Sequence, residues 1–224
     1  MAVTASRRAD PAAPTSPLRL YLAVRPTRSI LAGTVLLGAL TAWVGQVQTP
    51  LPSAAQDGST LVPIWRLIAM AAAILPILAL TSPLADLEAL ATRRLRTMQR
   101  RCLASLGTGC ALLYLAISAT TLPPAVTAVI ARSWLAWSGL ALLAGACLGW
   151  RLAWTLPAAT AVTFQYWGTK GSQGYHWWEF SARPYDDPYS LLLSLTLLTA
   201  GLTAYAATPW RRHHWRRHLH PGSR

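Results

Sequence analysis

Asp86 and Glu88 stand two residues apart, and Arg93, Arg94, Arg96, Arg100 and Arg101 follow close behind. Acids ahead of bases suit electrostatic recognition. Ser82 is a good N-cap and Pro83 suits the first helical position. The acids then lie near the positive end of a helix dipole and the arginines near its negative end. Leu84, Leu87, Ala91, Leu95, Met98 and Cys102 fall at steps of three and four, so they share one face. The segment 83–101 is therefore expected as an amphipathic helix. Its acids have no base one turn on, where Leu90 and Thr92 stand. Two readings remain. One is an interfacial helix whose arginines touch anionic lipid. The other is a docking helix whose acids meet a cytoplasmic partner.

A second cluster runs from Tyr175 to Tyr189, where aromatics crowd around His176, Glu179, Arg183, Asp186 and Asp187. It reads as an aromatic belt at the outer interface, or as a short gate dipping into the outer leaflet. The candidate gate residues are Tyr175, Trp177, Trp178, Glu179 and Phe180. His176 and Glu179 could share a face, which alone is a weak basis for a metal site. A third cluster, Arg211 to His220, alternates arginines with four histidines. A polybasic tail beside a span binds anionic lipid at roughly 1 kcal/mol per base, and metal binding is the alternative. Two stripes of small residues complete the set. Ser138, Ala141, Gly145 and Gly149 offer a face for close helix approach, the last two as a GxxxG. Thr155, Ala159 and Thr163, with Pro157 between them, are candidate lining for a pathway, with ordinary packing as the alternative.

What is missing narrows the chemistry. No GxxxxGK[ST], HExxH or GxSxG occurs, so the chain is not expected to be an enzyme or to hold a cofactor or metal of its own. Cys102, Cys110 and Cys147 lack the paired spacing of a zinc site and are expected as small packing residues. None of the seven acids falls in the middle of an apolar block, which argues against proton- or sodium-coupled transport.

The elements that must position these clusters are membrane helices. The 224 residues are 53% hydrophobic and 12% charged, about half the usual charge of a soluble domain. The apolar residues come in blocks of roughly twenty, the length that crosses a bilayer as a helix. Six spans are expected, at about 29–48, 64–84, 102–122, within 125–150, 152–168 and 189–209. With both termini inside, sixteen of the twenty bases lie on the inner side, and Arg66, Arg132, Lys170 and Arg183 remain for the outer half. That bias sets the orientation and makes nucleic acid an unsuitable partner for the net charge of +13. The fourth span is the least regular. A charge at membrane depth is costly, so its embedded part is expected to begin near Trp134 with Arg132 snorkelling outward; an intramembrane arginine is the alternative. The organisation is a tail at 1–28, a membrane domain at 29–209 with an aromatic outer loop at 169–188, and a basic tail at 210–224. The tail before the first apolar block is long for a signal peptide, so an uncleaved first span is expected. Bases that are almost all arginine, with abundant Ala and Leu, suggest a GC-rich bacterial gene and the cytoplasmic membrane.

This all-α layout resembles the transmembrane (permease) subunit of an ABC-2-type exporter. In that family a cytoplasmic coupling helix joins the second and third spans, where 83–101 lies, and short outer-leaflet helices precede the last span, where 174–188 lies. The sequence Ala85-Asp86-Leu87-Glu88 followed by the basic run is similar to the acid-then-basic loop of such permeases. The usual amphipathic connector before the first span is reduced here to about 19–28. The resemblance implies a cytoplasmic ABC ATPase that binds the ATP and docks on Asp86, Glu88, Arg93, Arg94 and Arg96. It also implies a second permease subunit, identical or sister, and an amphipathic cargo. The rival class is a non-transport accessory or regulatory membrane protein with lipid-binding tails.

Overall fold

The computed structural model describes residues 26–52, 54, 59–81, 93–169 and 174–219. Side chains 60, 93–96 and 208–219 lie outside the description. The described residues form six α-helices and one β-hairpin: α1 (Thr27–Val44), β1 (Gln48–Pro52), β2 (Ser59–Pro63), α2 (Trp65–Leu78), α3 (Arg93–Ser118), α4 (Pro124–Leu148), α5 (Thr155–Trp167) and α6 (Pro188–Leu219). A 3-10 turn, Trp150–Leu152, joins α4 to α5.

Four helices are long and apolar enough to cross a membrane: α1, α3 from Thr97, α4, and α6 as far as Ala207. The others are shorter. The 14 residues of α2 and 13 of α5 rise only about 21 and 20 Å, against ~30 Å for a bilayer core. The basic end of the expected amphipathic helix runs straight into the third span. Arg93 to Arg101 form the first turns of α3 itself, which continues unbroken to Ser118. Likewise α6 carries the basic tail onward in helix to Leu219.

Contacts along the helices fix their relative directions. Thr27 lies by Gln99 and Leu103, Thr34 meets Cys110, Thr41 bonds Tyr114 and Gln46 reaches Thr121, so α1 and α3 run parallel. Arg132 meets Pro184, Gly139 meets Leu197 and Trp150 meets Tyr205, so α4 and α6 also run parallel. Trp137 and Phe164 touch at 5.9 Å and are equally far from the turn between α4 and α5, which makes those two helices antiparallel. One end of the molecule therefore carries the hairpin, Arg66 and the 174–187 loop. The other carries Arg100, Trp150 and Tyr205.

At the centre lies α4, with 61% of its most apolar window buried, against 17–22% for the other three long helices. The helix begins at Pro124, so the residues ahead of Trp134 are helical, and Arg132 is inside the packed structure. Alanines 69, 72 and 73 on α2 are buried in the core that also holds Ile130, Trp134, Ala136 and Trp137. The closest approach is between α4 and α6. A Cβ on Gly139 would lie 2.3 Å from the Leu197 carbonyl oxygen, and one on Gly201 would lie 2.4 Å from that of Gly139. Backbone meets backbone here, as small residues allow in membrane helices.

The hairpin was not expected from the sequence, which reads there as a short loop. Its register pairs Gln48 with Pro63, Pro50 with Leu61 and Pro52 with Ser59. All three prolines thus fall at alternate pairs of one parity. Those must be the non-hydrogen-bonded pairs, where the missing N–H costs nothing. The ladder anchors to the helices through Ile64 N–H to the Val47 carbonyl and Trp65 N–H to that of Gly45.

Candidate functional site

The loop 174–187 folds into the hairpin end of the helices. Glu179 and Phe180 are each 1% exposed. Phe180 sits among aromatic rings, 4.8 Å from Trp137 and 5.0 Å from Phe164, both edge-on. Trp178 packs on Phe164 at 5.4 Å and His176 stacks on Trp178 at 5.3 Å. Edge-to-face pairs of this kind add about 0.5–1.5 kcal/mol each beyond area burial.

Three arginines hold this loop. Arg132, 5% exposed, donates to the carbonyl oxygens of Phe180, Arg183 and Pro184 at 2.9, 2.9 and 2.7 Å. Its fork of donors suits several acceptors at once. The expectation that Arg132 snorkels outward is therefore corrected: the loop comes in to the arginine and satisfies it. Arg66, in the first turn of α2, pairs with the Glu179 carboxylate and donates to Ser181 Oγ at 2.7 Å. Its guanidinium also lies 6.0 Å from the Tyr175 ring centre. Arg183 bonds Asp187 at 2.9 Å. Asp187 in turn accepts the Ser190 N–H at 2.9 Å and is the N-cap of α6, with Pro188 in the first helical position. Burial pushes the Asp187 carboxyl upward, but the Ser190 bonds and the Arg183 guanidinium outweigh it and hold the group below its usual range.

A carboxylate does enter the packed helices, although none lies inside an apolar block. It is Glu179, delivered from the loop. Its Oε2 crowds Gly168, where a Cβ would come within 2.8 Å. Of the candidate gate residues, Glu179 and Phe180 are buried, Trp178 is half-buried, and Tyr175 and Trp177 are exposed. His176 and Glu179 have separate partners, Trp178 and Arg66.

The other candidates fall elsewhere. Asp86 and Glu88 lie outside the described residues. Arg93, Arg94 and Arg96 form the start of α3. Ala159 and Thr163 are on the exposed side of α5, and the hydroxyls of Thr155 and Thr163 turn back onto the carbonyls of Leu152 and Ala159. The small-residue stripe of α4 is divided. Ala141 is in the core and Ser138 is half-buried. Gly145 lies under the Trp150 indole, 2.2 Å from where its Cβ would be. Gly149 is past the helix end at φ 104, a conformation glycine adopts without strain. The close approach between helices is made by Gly139 and Gly201 instead.

The sequence pointed to neither Arg66 nor Arg132 as a clamp. The signal was there: both are bases next to or within apolar blocks, and such bases need partners. Set against protein-family models, curated proteins and solved structures, the chain matches none.

Arg132→Leu removes three charge-assisted bonds, each of a kind worth about 1.5–3 kcal/mol. Hydrogen exchange of the backbone from Phe180 to Asp187 is expected to quicken by at least about tenfold, equivalent to ~1.4 kcal/mol, with α1 and α3 unchanged. Arg132→Lys is expected to fall between, because an ammonium is a point charge without the planar fork.

Proposed function

We propose that the chain is the membrane-spanning permease subunit of an ABC-type exporter, with six spans and both termini in the cytoplasm. A separate cytoplasmic ATPase supplies the energy, and a second permease subunit, identical or sister, completes the path. The cargo is amphipathic: a peptide, lipid, drug or antibiotic. The observation that carries the reading is the pairing of two features at opposite ends of alternating helices. One is the acid-then-basic segment leading into α3. The other is the aromatic loop packed between α2, α4, α5 and α6.

The parallel runs of α1 with α3 and of α4 with α6 agree with six passes, as does the reversal at α5. Among the described residues, the bases of 93–101 and those at the end of α6 lie at the end opposite the hairpin, which supports a cytoplasmic face there by the charge rule. In this reading Asp86 and Glu88 contact the ATPase, and Arg93, Arg94 and Arg96 hold the start of α3 at the lipid surface. ATP-driven closure of the ATPase moves that segment and shifts the helices between two arrangements. The outer loop, clamped by Arg66 and Arg132, then closes the path on the outer side. Tyr175, Trp177 and Trp178 are the aromatics of this gate, and Thr155, Ala159 and Thr163 line the path.

The test is association. The chain is purified from its native membrane in mild detergent, and the associated proteins are searched for an ATPase with a Walker motif. The two are expected to co-purify, and Glu88→Arg is expected to weaken the association at least about tenfold while the permease stays folded. An unchanged association in Glu88→Arg sinks the docking role, and no associated ATPase at all sinks the exporter reading.

A further inference from the structure

Two cavities lie in line along one side of the molecule. The first, about 550 Å³, is lined by α2, α3, α4 and α6 and has Arg100 at its mouth. The second, about 690 Å³, continues toward Asp186 and Asp187. They share Ala111, Trp134 and Leu135, so together they form one trough. Its walls are α3 and α6 and its floor is α4. The first cavity is apolar along its length, with Gly107, Leu112, Leu142 and Leu202 among its lining.

We infer that the Arg100 half of this trough is a binding site for an anionic phospholipid, with the headgroup at Arg100 and one acyl chain laid against Leu135 and Leu142. Three observations carry this. Charge is the first. The lining of the first cavity holds one base, Arg100, and no acid, whereas at the far cavity Arg132 lies beside Asp186 and Asp187 and Arg183 pairs with Asp187. An anionic head is therefore drawn to the Arg100 mouth. Length is the second. From Arg100 to Leu112 the wall rises about 18 Å, close to the ~15 Å depth of one leaflet of a bilayer core. Space is the third. A Cβ on Gly107 would meet nothing within 4 Å, so the wall is open where a chain would lie. The site does not depend on coupling to an ATPase.

The protein is reconstituted in nanodiscs containing a photoactivatable phospholipid, with the reactive group midway along one acyl chain. The lipid is either anionic phosphatidylglycerol or zwitterionic phosphatidylcholine. Adducts are mapped by mass spectrometry. The anionic probe is expected to label 103–112 and 198–206 more than the lipid-exposed face of α1 around Leu36 and Trp43. Arg100→Gln is expected to lower the anionic-over-zwitterionic ratio about fivefold, the factor expected for one base at an anionic surface. Gly107→Phe fills the trough and is expected to abolish that labelling. Gly109→Phe is the matched control: its Cβ is also unobstructed, but it does not line the trough, and it is expected to label as wild type. Trough peptides that stay unlabelled in the wild type overturn the site, whether a second copy fills it or nothing does. So does labelling that is indifferent to both Arg100→Gln and Gly107→Phe.

Discussion

Valine at position 139 is expected to unfold the helical core. The added Cβ would stand 2.3 Å from the Leu197 carbonyl oxygen and 2.6 Å from the Leu198 nitrogen. Both are backbone atoms, so no rotamer change relieves the clash, and α4 and α6 must separate. Overpacking a core costs typically about 1–3 kcal/mol, and a backbone clash on the central helix belongs at or above the top of that range. Gly201→Val meets the same crossing from the other side and is expected to cost as much. The double variant is expected to cost less than the sum, since one separation of the helices accommodates both. Gly109→Ala is the contrast. Its Cβ is unobstructed, and alanine replaces glycine in a helix with a gain of up to about 1 kcal/mol. Thermal unfolding in detergent, followed by circular dichroism, checks all four. A Gly139→Val protein that melts with the wild type would mean that the two helices do not cross there.

Much of the architecture was legible because bilayer helices announce themselves by length. Four of the six expected blocks are helices long enough to cross a membrane, the blocks at 64–84 and 152–168 hold shorter helices, and the turn at Trp150–Leu152 was foreseeable from its brevity. The central role of α4 was not. Arg132, Ser133 and Ser138 make it the least regular apolar block, and its mean hydropathy, 1.5 against 1.4 to 1.6 for the other three long helices, does not set it apart. A helix surrounded by other helices sees protein, so it can carry groups that lipid would reject, provided each finds a partner. Arg132 finds its partners 48–52 residues along the chain, a distance no local pattern reports. The glycine crossing was hidden for a similar reason. Gly145 and Gly149 form a visible motif within one helix, whereas Gly139 and Gly201 make their contact between two. The hairpin was masked by its prolines, which read as loop until their register is known. Thr41 and Tyr114, hydrogen-bonded at 2.7 Å between α1 and α3, belong to the same class of pairwise contact.

Glu179→Ala is expected to be the most damaging change in the 174–187 loop, and Arg66 is the reason. The Arg66 side chain is 11% exposed and that of Glu179 is 1% exposed. Removing one partner of a buried pair strands the other charge and costs about 3–5 kcal/mol. Ser181 Oγ remains as an acceptor for Arg66, but a hydroxyl does not neutralise a guanidinium. Arg66→Ala is expected to be comparably harmful, because it leaves the carboxylate beside Gly168 with only the Ser181 hydroxyl, 3.3 Å away, as a donor. The discriminating protein is the double variant Arg66→Met/Glu179→Met. Two apolar side chains of similar reach leave no charge to strand, and exchanges of this kind are often neutral or stabilising by about 1–4 kcal/mol. Its melting temperature is therefore expected to lie near or above that of the wild type, well above either single alanine variant. If the double variant is as unstable as Glu179→Ala, the pair is not a buried charge compensation, and the loop is held chiefly by its aromatic packing and Arg132.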